Sequence, residues 1–243
     1  MKNLEVVFRP EELGERKLED KLVVVIDVLR ASSTLVTALV EGSKDFIPVF
    51  SPEEAKEKAR QFTREEVLLG GERKGKKIAG FDLGNSPREY QKEVVKDKII
   101  IFSTTNGVRT LERVKGAFRI IIGSFLNAET ISRYCAPFPG EVLLVCAGRE
   151  GQFSLEDTVC AGMLISYLTK VYPLVEEIAD TNLAAYLLYE RFSSNLGELL
   201  QKCYHGKYLA SIGLKEDLIF CAQANIFDIV PVFKDGIISI AAD

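Results

Sequence analysis

The residues able to do chemistry fall in short polar clusters, each at the end of an apolar run. Asp27 follows the β-branched run 21–26, where an unpaired carboxylate would be costly, so it must meet a metal ion, an arginine or backbone donors. Arg30, Ser32 and Ser33 stand just beyond it, and Glu72 and Arg73 follow Gly70-Gly71, a pair that lets backbone come close to a ligand. Ser103-Thr104-Thr105-Asn106-Gly107, Ser124 with Asn127, Cys146 with Arg149, and Glu156-Asp157 complete the series. This set offers hydroxyls, amides, arginines and carboxylates. It suits a phosphate group held on hydroxyl and N–H donors, with arginine balancing charge and a hard divalent cation, naturally Mg2+, held by carboxylates. On this reading Asp27, Arg30 and Arg73 are catalytic, and Asp27, Glu72 and Asp157 are metal ligands. Ser32, Ser33, Ser103, Thr104, Thr105, Asn106, Gly107, Ser124, Asn127, Cys146 and Arg149 bind substrate.

Each of these residues also has a plainer reading. A serine or threonine at a strand end is often only a helix cap, Glu72-Arg73 could be a turn ion pair, and Glu156-Asp157 opens a helix, where acids commonly face the dipole. Five such loops in succession favour a shared cleft. Cys146 reads as site-lining more than nucleophilic, since a buried cysteine is commonly a small hydrophobe and Gln152 stands where a Cys-x5-Arg phosphate loop needs arginine. His205, the only histidine, reads as a capping or packing residue. A Gly-x-x-x-x-Gly-Lys-Ser/Thr nucleotide loop is absent, and Leu29 occupies the position where a haloacid-dehalogenase motif requires its second aspartate.

The elements that position these clusters alternate. Runs 4–8, 21–26, 45–50, 66–69, 98–102, 118–122 and 141–145 read as strands, each but the first followed by a loop and most by a helix. Ser51-Pro52-Glu53-Glu54 is a strong helix start, with a cap, a proline at the first position and acids where the dipole favours them. Residues 70–87 read as a long ordered loop or lid. Beyond Tyr172 the chain reads as helical through 179–192 and 195–200 until two late strands at 226–232 and 236–241. This alternation predicts an α/β fold, three-layer αβα around a mostly parallel sheet, in which ligands bind at the carboxyl ends of strands. One domain over 1–243 is expected. The echo between Val25-Ile26-Asp27-Val28-Leu29-Arg30 and Leu144-Val145-Cys146-Ala147-Gly148-Arg149 raises an internal duplication, with halves near 1–125 and 126–243.

Composition narrows the partners. A net charge of -4, from 31 basic and 35 acidic residues mixed along the chain, gives no field for a polyanion, so nucleic acid is not expected. No apolar run is long enough to cross a bilayer, and the charged N-terminus does not resemble a signal peptide. Five widely spaced cysteines without a C-x-x-C pair fit a reducing cytoplasm. A homodimer through an apolar helix face after Tyr172 is a further expectation.

Three long runs carry a family resemblance: Gly70-Gly71-Glu72-Arg73, Gly80-Phe81-Asp82-Leu83-Gly84-Asn85-Ser86-Pro87 and Ser103-Thr104-Thr105-Asn106-Gly107. With Asp27-Val28-Leu29-Arg30-Ala31-Ser32-Ser33-Thr34, Cys146-Ala147-Gly148, Glu156-Asp157, His205-Gly206 and Val230-Pro231, they span nearly the whole chain, which resembles the 2-phosphosulfolactate phosphatases. The resemblance implies a Mg2+-dependent hydrolysis of 2-phospho-3-sulfolactate to 3-sulfolactate and phosphate, a step towards coenzyme M. It also implies a three-layer αβα fold, in which two intertwined similar halves would explain the echo between Asp27 and Cys146. Two alternatives stand beside it: a phosphatase for another small phosphorylated hydroxy acid, and a non-catalytic binding protein for an anionic metabolite.

Overall fold

An unbroken apolar run has to be covered on both sides, and the run at 21–26 is. In the computed structural model, which describes residues 3–171 and 179–241, Leu22, Val24 and Ile26 enter one core while Val23 and Val25 enter another. The chain runs β1 (Asn3–Val7), β2 (Lys21–Ile26), α1 (Ala31–Val40), β3 (Asp45–Val49), α2 (Pro52–Ala59), β4 (Val67–Arg73), β5 (Lys76–Lys77) and α3 (Lys92–Val95). It continues through β6 (Ile99–Ser103), α4 (Gly107–Arg113), β7 (Arg119–Gly123), α5 (Ala128–Cys135), β8 (Glu141–Cys146), α6 (Leu155–Val171) and α7 (Asp180–Phe192). The last elements are α8 (Leu196–Lys202), α9 (Tyr204–Ser211), α10 (Lys215–Cys221), β9 (Pro231–Lys234) and β10 (Ile237–Ile240). Residues 172–178, expected to be helical, lie outside the described residues.

The strands form one ten-stranded sheet in the order β1-β8-β2-β7-β9-β10-β3-β6-β4-β5. Two parallel blocks, β1-β8-β2-β7 and β3-β6-β4, are joined by the antiparallel β9–β10 hairpin, so the expected mostly parallel αβα architecture holds. Two antiparallel junctions flank that hairpin, and the second block therefore runs against the first. A sheet twists by roughly 20–25° per strand, which over the steps from β2 to β6 amounts to roughly 100–125°. That turn brings the carboxyl ends of the second block round towards those of the first. The two blocks share a core: Val23, Val25 and Val145 pack with Phe46, Ile100 and Phe102 around Leu35, Val36 and Leu39 of α1 and Leu111 of α4.

Two sequence boundaries are corrected. The strand expected to stop at residue 69 continues through Gly70-Gly71-Glu72-Arg73, pairing Gly70 with Phe102 and Gly71 with Ser103 of β6. Only glycine permits this: a Cβ on Gly71 would lie 2.2 Å from the Ser103 carbonyl oxygen, and its φ is +146°. The first late strand begins at Pro231 and not at 226, because the preceding residues bond to the loop after β7. There Asn225 and Phe227 donate their N–H groups to the carbonyls of Phe125 and Leu126 at 2.9 Å. Helix α2 starts as its sequence requires, with Ser51 Oγ accepting from Glu54 N at 3.0 Å.

Candidate active site

A cleft of about 260 Å³ opens where the two blocks' carboxyl ends meet. Its size suits a small ligand. Asp27 and Arg30 come from the β2–α1 connection, Glu72 from the end of β4, Thr104, Thr105 and Asn106 from the β6–α4 loop, and Arg149 from the loop after β8. The fold thus brings seven of the expected residues, from four separate strand ends, to one space. Ser32 and Gly107 line a small apolar recess that also touches Asp27 and Thr104. A Cβ on Gly107 would sit at ordinary contact distance, 3.5 Å, from both Asp27 Oδ2 and Thr104 Oγ1, which shows how near this residue lies to them.

Asp27 is fixed by its own helix start. Its Oδ1 accepts from Ala31 N at 3.3 Å, and its backbone N–H donates to Ser32 Oγ at 2.9 Å. Burial raises its carboxyl from the usual 3.8 to about 7; the Ala31 N–H opposes this, while the charges of Glu72 and Glu156 add to it. A carboxyl held this far up beside a second carboxylate is one for which an incoming cation would favour the ionised form.

Several expected site residues shape the cleft from behind. Asp157 Oδ1 accepts from Val28 N at 2.8 Å and Oδ2 from Gly148 N at 3.2 Å, tying the ends of β2 and β8 together. Arg73 lies outside the lining; its guanidinium donates to the Phe50 carbonyl at 2.8 Å and to Ser103 Oγ at 2.9 Å, bracing three strand ends. Ser33 Oγ donates to the Val28 carbonyl at 2.9 Å. Ser124 and Asn127 form a capping box, and Asn127 also donates to the carbonyls of Ile122 and Ile229 at 3.2 Å. Cys146 is fully buried, and burial followed by the Asp157 charge pushes its thiol well above the ordinary value, away from a thiolate nucleophile.

The arginines differ in freedom. Arg30 is locked: Nη1 meets Asp217 Oδ2 at 2.6 Å with both side chains 2% exposed, and Nη2 donates to the Gly75 carbonyl at 2.8 Å. Asp217 Oδ1 in turn accepts from Ser86 Oγ at 2.6 Å, so the Ser86 part of the signature run holds the arginine's partner. Arg149 is 30% exposed and stacks over the Tyr204 ring at 4.3 Å, beside Glu150 at 3.5 Å.

Sequence reasoning missed Lys74, Gly75, Asn85, Tyr204, His205 and Tyr208, all of which line the cleft. Asn85 is 6% exposed and its Oδ1 has no hydrogen-bond partner, although Thr34 Oγ1 holds its backbone carbonyl at 3.0 Å. Its place inside the run 80–87 was the available signal. His205, expected to cap or pack, stands at the start of α9, stacks on Tyr208 and also lines the cleft. Nothing local could have placed it beside Arg30.

A family model described as 2-phosphosulpholactate phosphatase matches residues 7–236. The chain belongs to the 2-phosphosulfolactate phosphatase family. Proteins named probable 2-phosphosulfolactate phosphatase resemble it along almost their full length. That of Caldanaerobacter subterraneus subsp. tengcongensis is 43% identical over 231 residues, 95% of each chain. That of Symbiobacterium thermophilum is 44% identical over 220 residues, 90% of this chain and 94% of its own. That of Clostridium perfringens strain SM101 is 42% identical over 235 residues, 96% and 94% respectively. This is a family of phosphoric monoester hydrolases, and the cleft has the polar, mixed-charge lining such chemistry needs.

A resident Mg2+ is compatible with this donor set. Among the described residues no group of three or more His, Cys, Asp or Glu is placed to hold a metal. Mg2+ needs less, since it commonly takes one or two carboxylates and fills its octahedron with water and substrate phosphate oxygens. Asp27 and Glu72 share the cleft, and the unpartnered Asn85 oxygen lies in the same lining.

Proposed function

We propose that the protein is a magnesium-dependent phosphatase that hydrolyses 2-phospho-3-sulfolactate to 3-sulfolactate and phosphate, as in coenzyme M biosynthesis. The observation that carries this reading is the meeting of paired carboxylates, Asp27 and Glu72, with Arg30, Lys74 and Arg149 in one small cleft of a protein from this family. The substrate presents phosphate, sulfonate and carboxylate groups, and three cations from separate loops match three anionic groups better than a single phosphate site would. Asp27 and Glu72 would hold Mg2+, which supplies polarisation of the phosphoryl oxygens when bound. Arg30, immobilised by Asp217, neutralises charge developing on the phosphoryl group without having to reorganise. Thr104, Thr105 and Asn106 surround the anion with polar groups at the end of β6. Arg149, partly exposed on its tyrosine, suits the more remote anionic group.

The five cysteines are free and buried, which supports a reducing compartment such as the cytoplasm. Phosphate release from 2-phospho-3-sulfolactate with Mg2+, abolished by EDTA and restored by adding the metal back, is the expected result. Tight binding without release would make the protein a metabolite sensor. Equal kcat/KM on other phosphorylated hydroxy acids would widen the substrate class.

A further inference from the structure

His205 is the one imidazole in the chain, and nothing in the reaction outlined above uses it. It reaches the cleft from the first turn of α9, a helix whose N-terminus is capped by Cys203 Sγ accepting from Gly206 N at 3.3 Å. Its ring stacks on Tyr208, centroids 6.1 Å apart and planes 20° from parallel. The Tyr208 hydroxyl donates to the Lys74 carbonyl at 2.9 Å, which fixes this helix to the segment that carries Glu72. The imidazole is thus stacked on a tyrosine of its own helix, and that tyrosine ties the helix to β4's end.

Resting on the phosphatase reading, we propose that His205 is the general acid that protonates the departing ester oxygen of the substrate. Hydrolysis forms a bond from a water oxygen to phosphorus and breaks the bond from phosphorus to the ester oxygen, whose electron pair stays on that oxygen. The oxygen takes its proton from the His205 imidazolium, giving the alcohol. The proton lost by the water returns to the imidazole through solvent. An alkyl phosphate has a poor leaving group, so this proton transfer is where a positioned acid helps, by about 10²–10⁴-fold.

The charges around His205 explain how one residue can be neutral at rest and acidic in the complex. Burial pushes it down to about 4, with Arg30 before α1 and Arg149 after β8 adding to the fall and the Leu29 backbone opposing it. Lys74 is a further cation of the cleft lining, and Asp27, Glu72 and Glu150 are its acids. A ligand with several negative groups compensates those cations and favours the protonated ring. Binding and arming of the acid are then one event.

Leaving-group dependence tests the role directly. His205→Gln should lose about 10²–10⁴-fold in kcat on 2-phospho-3-sulfolactate yet stay within a few-fold of wild type on acetyl phosphate, whose leaving group needs no proton. Equal losses on both substrates, or no loss on either, would overturn the proposal alone. Wild-type protein that releases phosphate from neither substrate overturns the phosphatase reading and this proposal with it. The wild-type chain provides a check that needs no variant, because its single imidazole gives one assignable NMR signal. The pH midpoint of that signal should rise when 3-sulfolactate and inorganic phosphate are added together with Mg2+; an unmoved midpoint also counts against the proposal.

Discussion

Burial raises the Asp27 carboxyl to about 7, against 3.8 for the ordinary group, and this sets stability against function. Between those values the folded protein keeps a proton that the unfolded chain has lost. Stability therefore falls as pH rises through that window and levels off above it. An amide in place of this carboxyl would have no proton to lose. Without divalent cation, Asp27→Asn should be more stable than wild type at pH 8 by ~2–4 kcal/mol, little different near pH 4, and inactive throughout. Urea unfolding in EDTA at the two pH values measures this; the same difference at both would show that the carboxyl's titration is not the cause. Arg149 is partly exposed and free of the core, so Arg149→Ala should leave folding intact and raise KM by about 10-fold or more with a smaller change in kcat. Steady-state kinetics on the phosphosulfolactate ester decide it. Asp27, Arg30, Glu72 and Arg149 were legible as candidates because they stand at or just beyond strand ends of the parallel blocks, where ligands bind. Arg73 was legible as a site residue only in name, since its type and position resemble those of Arg149 while its guanidinium serves Phe50 and Ser103.

At the scale of elements, the β4–β6 pairing depends on Gly71. Gly71→Ala would force a Cβ to within 2.2 Å of the Ser103 carbonyl at a positive φ, and should cost about 2–4 kcal/mol and most of the activity, because Glu72 follows directly. Thermal melts with an activity assay on the same sample would check both effects together. Helix α10 supports the site through Asp217, which bonds both Arg30 and Ser86. Removing Asp217 leaves the Arg30 charge buried and unpaired, so Asp217→Ala should destabilise the fold by about 3–5 kcal/mol. Chemical denaturation is the measurement, and a loss below about 1 kcal/mol would mean that Arg30 finds another anion. Most elements were readable from periodicity and caps. The β4 extension was not, because Gly70-Gly71 reads as a turn until a partner strand is present to give it a ladder.

For the whole molecule, the cleft exists because the sheet reverses at the β9–β10 hairpin and twists until two sets of strand ends face one another. A ligand that bridges them binds only the folded state. Inorganic phosphate at about 100 times its dissociation constant, added to the Mg2+-loaded protein, should therefore add ~2.7 kcal/mol to stability, seen as a rise in Tm that EDTA reverses. A Tm indifferent to both would disconnect the cleft from metal and anion. The sequence by itself determined the α/β class, most strand and helix starts and the family, since these rest on local hydrophobic pattern, capping chemistry and long uncommon runs. Only the tertiary structure decided which polar strand ends share a space. Asp27, Arg30, Glu72, Thr104 and Arg149 face the cleft, Asp157 and Arg73 brace it, and His205 and Asp217 enter from helices far along the chain. The physical reason is that a residue's type fixes what it can bond, but whether it bonds ligand or backbone depends on what the twist of the sheet places opposite it.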